Sequence, residues 1–205
     1  KADGGGALYN SSHNFTTVTN SLIQDNTASD GAALFNNWGT ISVSGAVIKN
    51  NTATMGGGAL YTVNESTTTI ANSEIIGNTA GETGGAFYNN NYEQLTIIGS
   101  TISTNSAGYA GGAGWNFGTV SLGDSIIDDN DAGLGAGAFC NFGTMSIGTS
   151  SFSGNTAEVF GGALGGLLGM QVFRHKTKHK KFMIGIPVII ALQAALIVAL
   201  LILFP

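Results

Sequence analysis

The side chains able to do chemistry are few and unevenly placed. Asp124, Asp128, Asp129 and Asp131 form the one acidic cluster. Carboxylates so close together could ligate Ca²⁺, and a correctly spaced pair could hydrolyse a glycosidic bond. A polysaccharide lyase would add a strong base, Arg or Lys. Before position 174 the only basic residues are Lys1 and Lys49, and His13 is the only histidine. The expectation is therefore no catalytic residue and no cofactor. The aspartates are read as a solvated turn, with a weak Ca²⁺ site as the alternative. His175 and His179 stand four apart among lysines, a poor setting for a metal cation.

A second set could bind without reacting. Tyr9, Phe35, Tyr61, Tyr88 and Trp115 recur at one position of a repeated segment, and Cys140 breaks the row. Beside them runs a second row, Leu8, Leu34, Leu60, Phe87, Gly114 and Phe139. In a strand one of two adjacent rows faces in and the other out. We place the aromatic row inward, with Cys140 as a small filler. Turned outward, the rings would make a ladder suited to stacking on a glycan or a protein ligand.

The elements that carry these rows come from a repeat. The Ala of a Gly-Gly-Ala-Leu-like motif recurs at Ala7, Ala33, Ala59, Ala86, Ala113, Ala138 and Ala163. With it recurs an Asn, at Asn26, Asn51, Asn78, Asn105, Asn130 and Asn155. Three residues before each Asn stands Ile23, Ile48, Ile75, Ile102, Ile127 or Phe152, and five before that Val18, Val43, Ile70, Ile97, Leu122 or Ile147. Apolar and polar residues alternate, as in Thr40-Ile41-Ser42-Val43-Ser44, which is the period of a strand. Repeats of this length suit one coil of a three-faced solenoid. The predicted fold is all-β: a parallel β-helix solenoid of about six coils over residues 1–158. At ~4.8 Å per coil it is a rod of roughly 29 Å. The Ile/Phe and Val/Ile/Leu rows should form the core, and the Asn row an amide ladder at a turn.

Gly5-Gly6-Ala7-Leu8, Gly57-Gly58-Ala59-Leu60 and Phe152-Ser153-Gly154-Asn155 resemble the two short signatures of the polymorphic outer membrane protein repeat. That resemblance implies the right-handed hand of the helix, surface display and adhesion. The family's C-terminal β-barrel is not read here.

Charge divides the chain in two. The overall net charge is −5, yet all 12 acidic residues precede position 159. Arg174, Lys176, Lys178, Lys180 and Lys181 form a basic loop, 174–182, suited to a cytoplasmic membrane surface. The acidic part should repel nucleic acid. Residues 183–204 carry no charge and at ~33 Å suffice for a transmembrane helix. Residues 159–173 form a shorter apolar, Gly-rich helix. Gly161, Gly165 and Gly169 could pack against Ala191, Ala195 and Ala199 in a helical hairpin. Gly161-Gly162-Ala163-Leu164-Gly165, Leu168-Gly169-Met170, Phe173-Arg174-His175-Lys176-Thr177 and Lys181-Phe182 resemble the C-terminal half of the small membrane-protein family known as domain of unknown function 1294. No signal peptide is read, so an export signal is expected upstream.

The functional expectation is a non-catalytic, surface-displayed, adhesin-like module. It is anchored in a lipid bilayer and binds a glycan or protein through the β-helix, not nucleic acid. The alternative is a small integral membrane protein with passive repeats, arising by fusion or a mis-joined frame. Both termini are expected outside and the basic loop inside, so a cysteine at Ser66 should be labelled from outside and one at Thr177 should not.

Overall fold

A computed structural model of the chain describes residues 2–158. The expected helix over 159–173, the basic loop over 174–182 and the span over 183–204 lie outside the described residues, with every packing glycine, packing alanine and basic residue assigned to them. Among the described residues all regular elements are short parallel strands, and there is no helix.

Strands of successive coils pair in register into four parallel sheets, one of seven strands and three of six. One coil runs Leu34–Asn37, Thr40–Ser44, Val47–Lys49 and Thr52–Ala53, and the next runs Leu60–Val63, Thr67–Ala71, Glu74–Ile76 and Thr79–Ala80. The coil thus has four strands, not the three faces expected. The reason lies at two corners held by left-handed backbone. Asn20, Gly45, Asn72, Gly99 and Asp124 occupy one, and Asp25, Asn50, Gly77, Thr104, Asp129 and Gly154 the other, all with positive φ. Gly, Asn and Asp tolerate that conformation best. The two corners bracket the three-residue strand of the Ile row and make it a sheet of its own.

The periodic rows build the core as expected. Ile23, Ile48, Ile75, Ile102, Ile127 and Phe152 pair rung to rung. Ile48, Ile75, Ile102 and Ile127 are buried, as are Val43, Ile70, Ile97 and Leu122. The ends of the rows differ: Phe152 and Ile147 are 43% and 48% exposed, because the last described rung has a paired neighbour on one side only. The Leu8 row also faces in. Leu34, Leu60 and Phe87 are fully buried, and the large ring of Phe87 takes the space that Gly114 leaves empty on the next coil. A Cβ at Gly114 would lie 2.2 Å from the Phe87 ring.

Buried polar ladders fix the register. In the Asn row each Oδ1 accepts both the backbone and the side-chain N–H of the preceding rung: Asn51 donates to Asn78 at 3.0 and 2.9 Å, and Asn78 to Asn105 at 2.9 and 3.0 Å. A second amide row, which the sequence reading missed, faces inward two residues after the Leu row. Asn89 donates to Asn116 and Asn116 to Asn141, each at 2.7 Å, with Thr62 interrupting the series below. A serine row does the same at the first corner, where the Oγ of Ser73, Ser100 and Ser125 each accept a backbone N–H from the coil below. In a parallel stack every coil repeats the same buried polar position. Self-pairing side chains solve that problem once for all coils.

Candidate functional site

The aromatic row faces outward, which corrects its inward placement. The strand Leu34-Phe35-Asn36-Asn37 shows why: Leu34 and Asn36 are buried, while Phe35 and Asn37 lie on the outer face. Size also decides it. The core on this side already holds two rows, and Ala33, Ala59, Ala86 and Ala113 beside them are fully buried. Cys140 occupies the same outer row yet is buried, and burial pushes its thiol up to about 11.

Because coils stack about one strand spacing apart, the outer rings stack on one another. Tyr9 and Phe35 lie 5.1 Å apart at 9°, Phe35 and Tyr61 5.2 Å at 10°, and Tyr61 and Tyr88 4.7 Å at 6°. Only Tyr9, at one end, is largely exposed (52%); the others are half-buried. Above Tyr88 the order changes. Trp115 meets Phe142 at 5.0 Å and Phe117 at 5.9 Å, both steeply tilted. Phe117 approaches Tyr88 at 6.3 Å and 52°. The cause is the turn after this strand, which in these coils is Phe117-Gly118 and Phe142-Gly143 and adds a second column of rings. The buried Trp115 Nε1 donates to no partner.

The rings form one wall of a groove of about 290 Å³, lined by Tyr61, Tyr88, Trp115 and Phe117. The other wall is the turn leading into the Gly-Gly-Ala segment. There Asp30 stands one rung below Gly56, which in turn pairs with Thr83 and Thr83 with Ala110. Gly56 lets the rings close on this wall, since a Cβ there would sit 3.1 Å from the Tyr88 ring and 3.4 Å from that of Tyr61.

Two carboxylates enter the groove, Asp30 and Glu82. Asp30 Oδ1 accepts the Gly56 N–H at 3.1 Å. Burial raises the Asp30 pKa, partly offset by that bond and by Ser29, and the charge of Glu82 raises it further. Burial likewise raises both phenols, with Tyr88, Asp30 and Glu93 adding to the rise of Tyr61, and Asp30 to that of Tyr88. Tyr61 and Tyr88 therefore stay protonated at neutral pH and offer O–H groups. The face is acidic and aromatic, and no side chain lining it is cationic.

The other candidates take structural roles. Asp124 and Asp129 are left-handed corner residues, Asp128 accepts from Ser153, and Asp131 accepts from Thr156 at 2.6 Å. Among the described residues no three acidic, histidine or cysteine side chains converge to hold a metal ion. His13 lies in an exposed turn, tilted against Trp38 at 5.8 Å. Lys49 lies on the Ile sheet, beside Gln24 and Ile76. Sequence reasoning also missed Glu93, a carboxylate only 1% exposed. It accepts N–H groups from Ser66, Glu65 and Asn64 of the coil below, where Asn64 and Glu65 both have positive φ. Its Oε1 and the Ser66 Oγ have no partner. Ser66 itself is buried, so it is unsuited to the labelling expected of it.

Comparison with known proteins finds both resemblances read from the sequence. Residues 45–63 match the Chlamydia polymorphic membrane protein repeat. Residues 155–182 match the family described as a protein of unknown function, DUF1294. A curated relative, the uncharacterized protein YsdA of Bacillus subtilis, is 58% identical over 36 residues, which is 18% of this chain and 40% of that protein. The chain thus spans well under half the length of that relative. No solved structure matches the chain.

Proposed function

We propose that this chain is a non-catalytic binding module, displayed outside a membrane by its C-terminal segment, with an adhesin-like role. The observation that carries this reading is the outward aromatic row and the groove beside it. Unlike the Leu row, which is buried in the core, these rings reach the outer face beside the groove. The repeat match at 45–63 supports surface display, and the uncharged stretch at 183–204 behind a basic loop supports anchoring. The Asp124–Asp131 aspartates are engaged in corners and ladders, and the only basic side chains between residues 2 and 158 are His13 and Lys49, which supports a non-catalytic reading; Asp30 and Glu82 in the groove are read as binding groups. The face is acidic, which disfavours nucleic acid and leaves a glycan or protein as ligand.

The DUF1294 match and the YsdA relative favour a second reading, a small membrane protein whose repeats are passive. One experiment separates the two. Cells displaying the full chain are assayed for attachment to glycan and protein arrays, beside Tyr88→Ala and Phe35→Ala. The binding-module reading expects attachment that Tyr88→Ala weakens about two- to tenfold, the worth of one aromatic contact. Attachment unchanged by both substitutions would leave the passive reading standing.

A further inference from the structure

We propose that the groove beside the aromatic ladder recognises a basic segment of a protein partner, seating a lysine or arginine side chain between Asp30 and Glu82 with its methylene stem along Tyr61 and Tyr88. This rests on the binding-module reading and names the ligand chemistry of that site.

Three observations converge on a cation. First, the groove holds two carboxylates and no cationic side chain, so its charge is uncompensated from within. Second, Asp30 is bonded by the Gly56 N–H and the Ser29 side chain but faces no cation, while Glu82 acts on it with like charge. An ammonium or guanidinium group relieves both the burial and the repulsion. Third, the walls are π-systems. The faces of Tyr61 and its neighbours are used up by stacking at 4.7–5.2 Å along the row. The stack gives way above Tyr88, where Trp115 and Phe117 stand tilted and the groove lies. Ring edges and carboxylates lining one groove suit the apolar stem and charged head of a lysine or arginine. A neutral glycan would hydrogen-bond the two carboxylates through its hydroxyls yet leave their charge uncompensated.

Shape argues for a peptide over a free cation. Asp30 and Glu82 belong to coils two apart, roughly 9.6 Å along the axis at the strand spacing. The lining extends one coil further, to Trp115 and Phe117. An elongated groove of about 290 Å³ suits a side chain with its stem and neighbouring backbone.

The test uses the full chain in detergent micelles with Trp38→Phe, so that Trp115 alone reports. The probe is acetyl-Gly-Lys-Gly-Lys-Gly-amide, and the comparison is the same peptide with both lysines acetylated. The expected result is saturable change of Trp115 emission by the first peptide only, weakened about fivefold by Asp30→Asn and by Glu82→Gln. Glu74→Gln, on the outer row of the Ile sheet, should weaken it less than twofold. Circular dichroism confirms that each variant keeps its β signal. Equal losses for Asp30→Asn and Glu74→Gln would overturn the proposal in favour of diffuse attraction. Spermidine binding as tightly as the peptide would overturn the assignment to a protein partner. If Tyr88→Ala abolishes attachment of the displayed chain while no lysine peptide binds, the cation assignment falls and the binding-module reading survives.

Discussion

Replacing Asn78 by Ala removes one rung from the middle of the buried amide ladder. Its Oδ1 accepts the Asn51 N–H at 3.0 Å and the Asn51 side-chain amide at 2.9 Å. Its Nδ2 donates to Asn105 Oδ1 and to the Ile48 carbonyl, both at 3.0 Å. After truncation the Asn51 amide still reaches the Ile23 and Lys49 carbonyls, and Asn105 Oδ1 still accepts the backbone N–H of residue 78. The Asn51 backbone N–H keeps nothing, at a site with 0% exposure. One orphaned buried donor at about 1–3 kcal/mol, with the net loss of the Asn78 Nδ2 bonds to Asn105 and Ile48 at about 1 kcal/mol each, gives a cost of about 3–5 kcal/mol. Asn26 is the control. It donates to Asn51 Oδ1 and the Gln24 carbonyl at the bottom of the ladder, and its truncation orphans no buried N–H, so Asn26→Ala should cost about 1–2 kcal/mol. Urea denaturation of the full chain in micelles, followed by far-UV circular dichroism, measures both. Amide exchange should also accelerate at Asn51 in Asn78→Ala. Equal losses for the two variants, with Asn51 exchange unchanged, would refute the ladder as a source of stability.

Three further outcomes follow from the same geometry. Gly114→Ala should destabilise by about 1–3 kcal/mol in the same titration, because its Cβ meets the Phe87 ring, and Phe87→Leu should restore much of the loss. Glu93 has a raised pKa from burial, outweighing its bonds to the Ser66, Glu65 and Asn64 N–H groups; its folded form therefore holds the proton more tightly than the unfolded one. Its contribution is complete below the unfolded value, ~4.3, and is lost as pH rises through the folded value, so Glu93→Gln should flatten the decline in stability as pH rises above that unfolded value, and a decline of equal slope in the variant would contradict it. Ca²⁺ or a chelator should leave the melting temperature unchanged, since Asp124 and Asp129 serve as corners while Asp128 and Asp131 accept from the next coil.

The solenoid was legible because its physics is periodic: a parallel stack puts the same residue in the same environment at every coil, so the Ile and Asn rows announce themselves. The inward row was not legible, because Leu34 and Phe35 are both apolar and alternation cannot tell core from outer face. The Phe87–Gly114 size match was a usable signal, since a glycine opposite a large ring marks a crowded interior. The second amide row was readable too, as Asn10, Asn36, Asn89, Asn116 and Asn141 recur in step with the Leu row, and Thr62 hides the pattern. The groove and the Glu93 cradle depend on turn lengths and left-handed residues that vary from coil to coil, and no repeat reports those.

The central claim, a β-helix displayed outside a membrane to bind, is tested most directly by cysteine labelling of intact cells expressing the full chain with Cys140→Ser. Glu65→Cys is the position to use, because Glu65 is exposed where Ser66 is buried. An impermeant maleimide should label Glu65→Cys on intact cells, and should label Thr177→Cys only after the cells are opened. Protection of Glu65→Cys until lysis would place the β-helix inside and contradict the account.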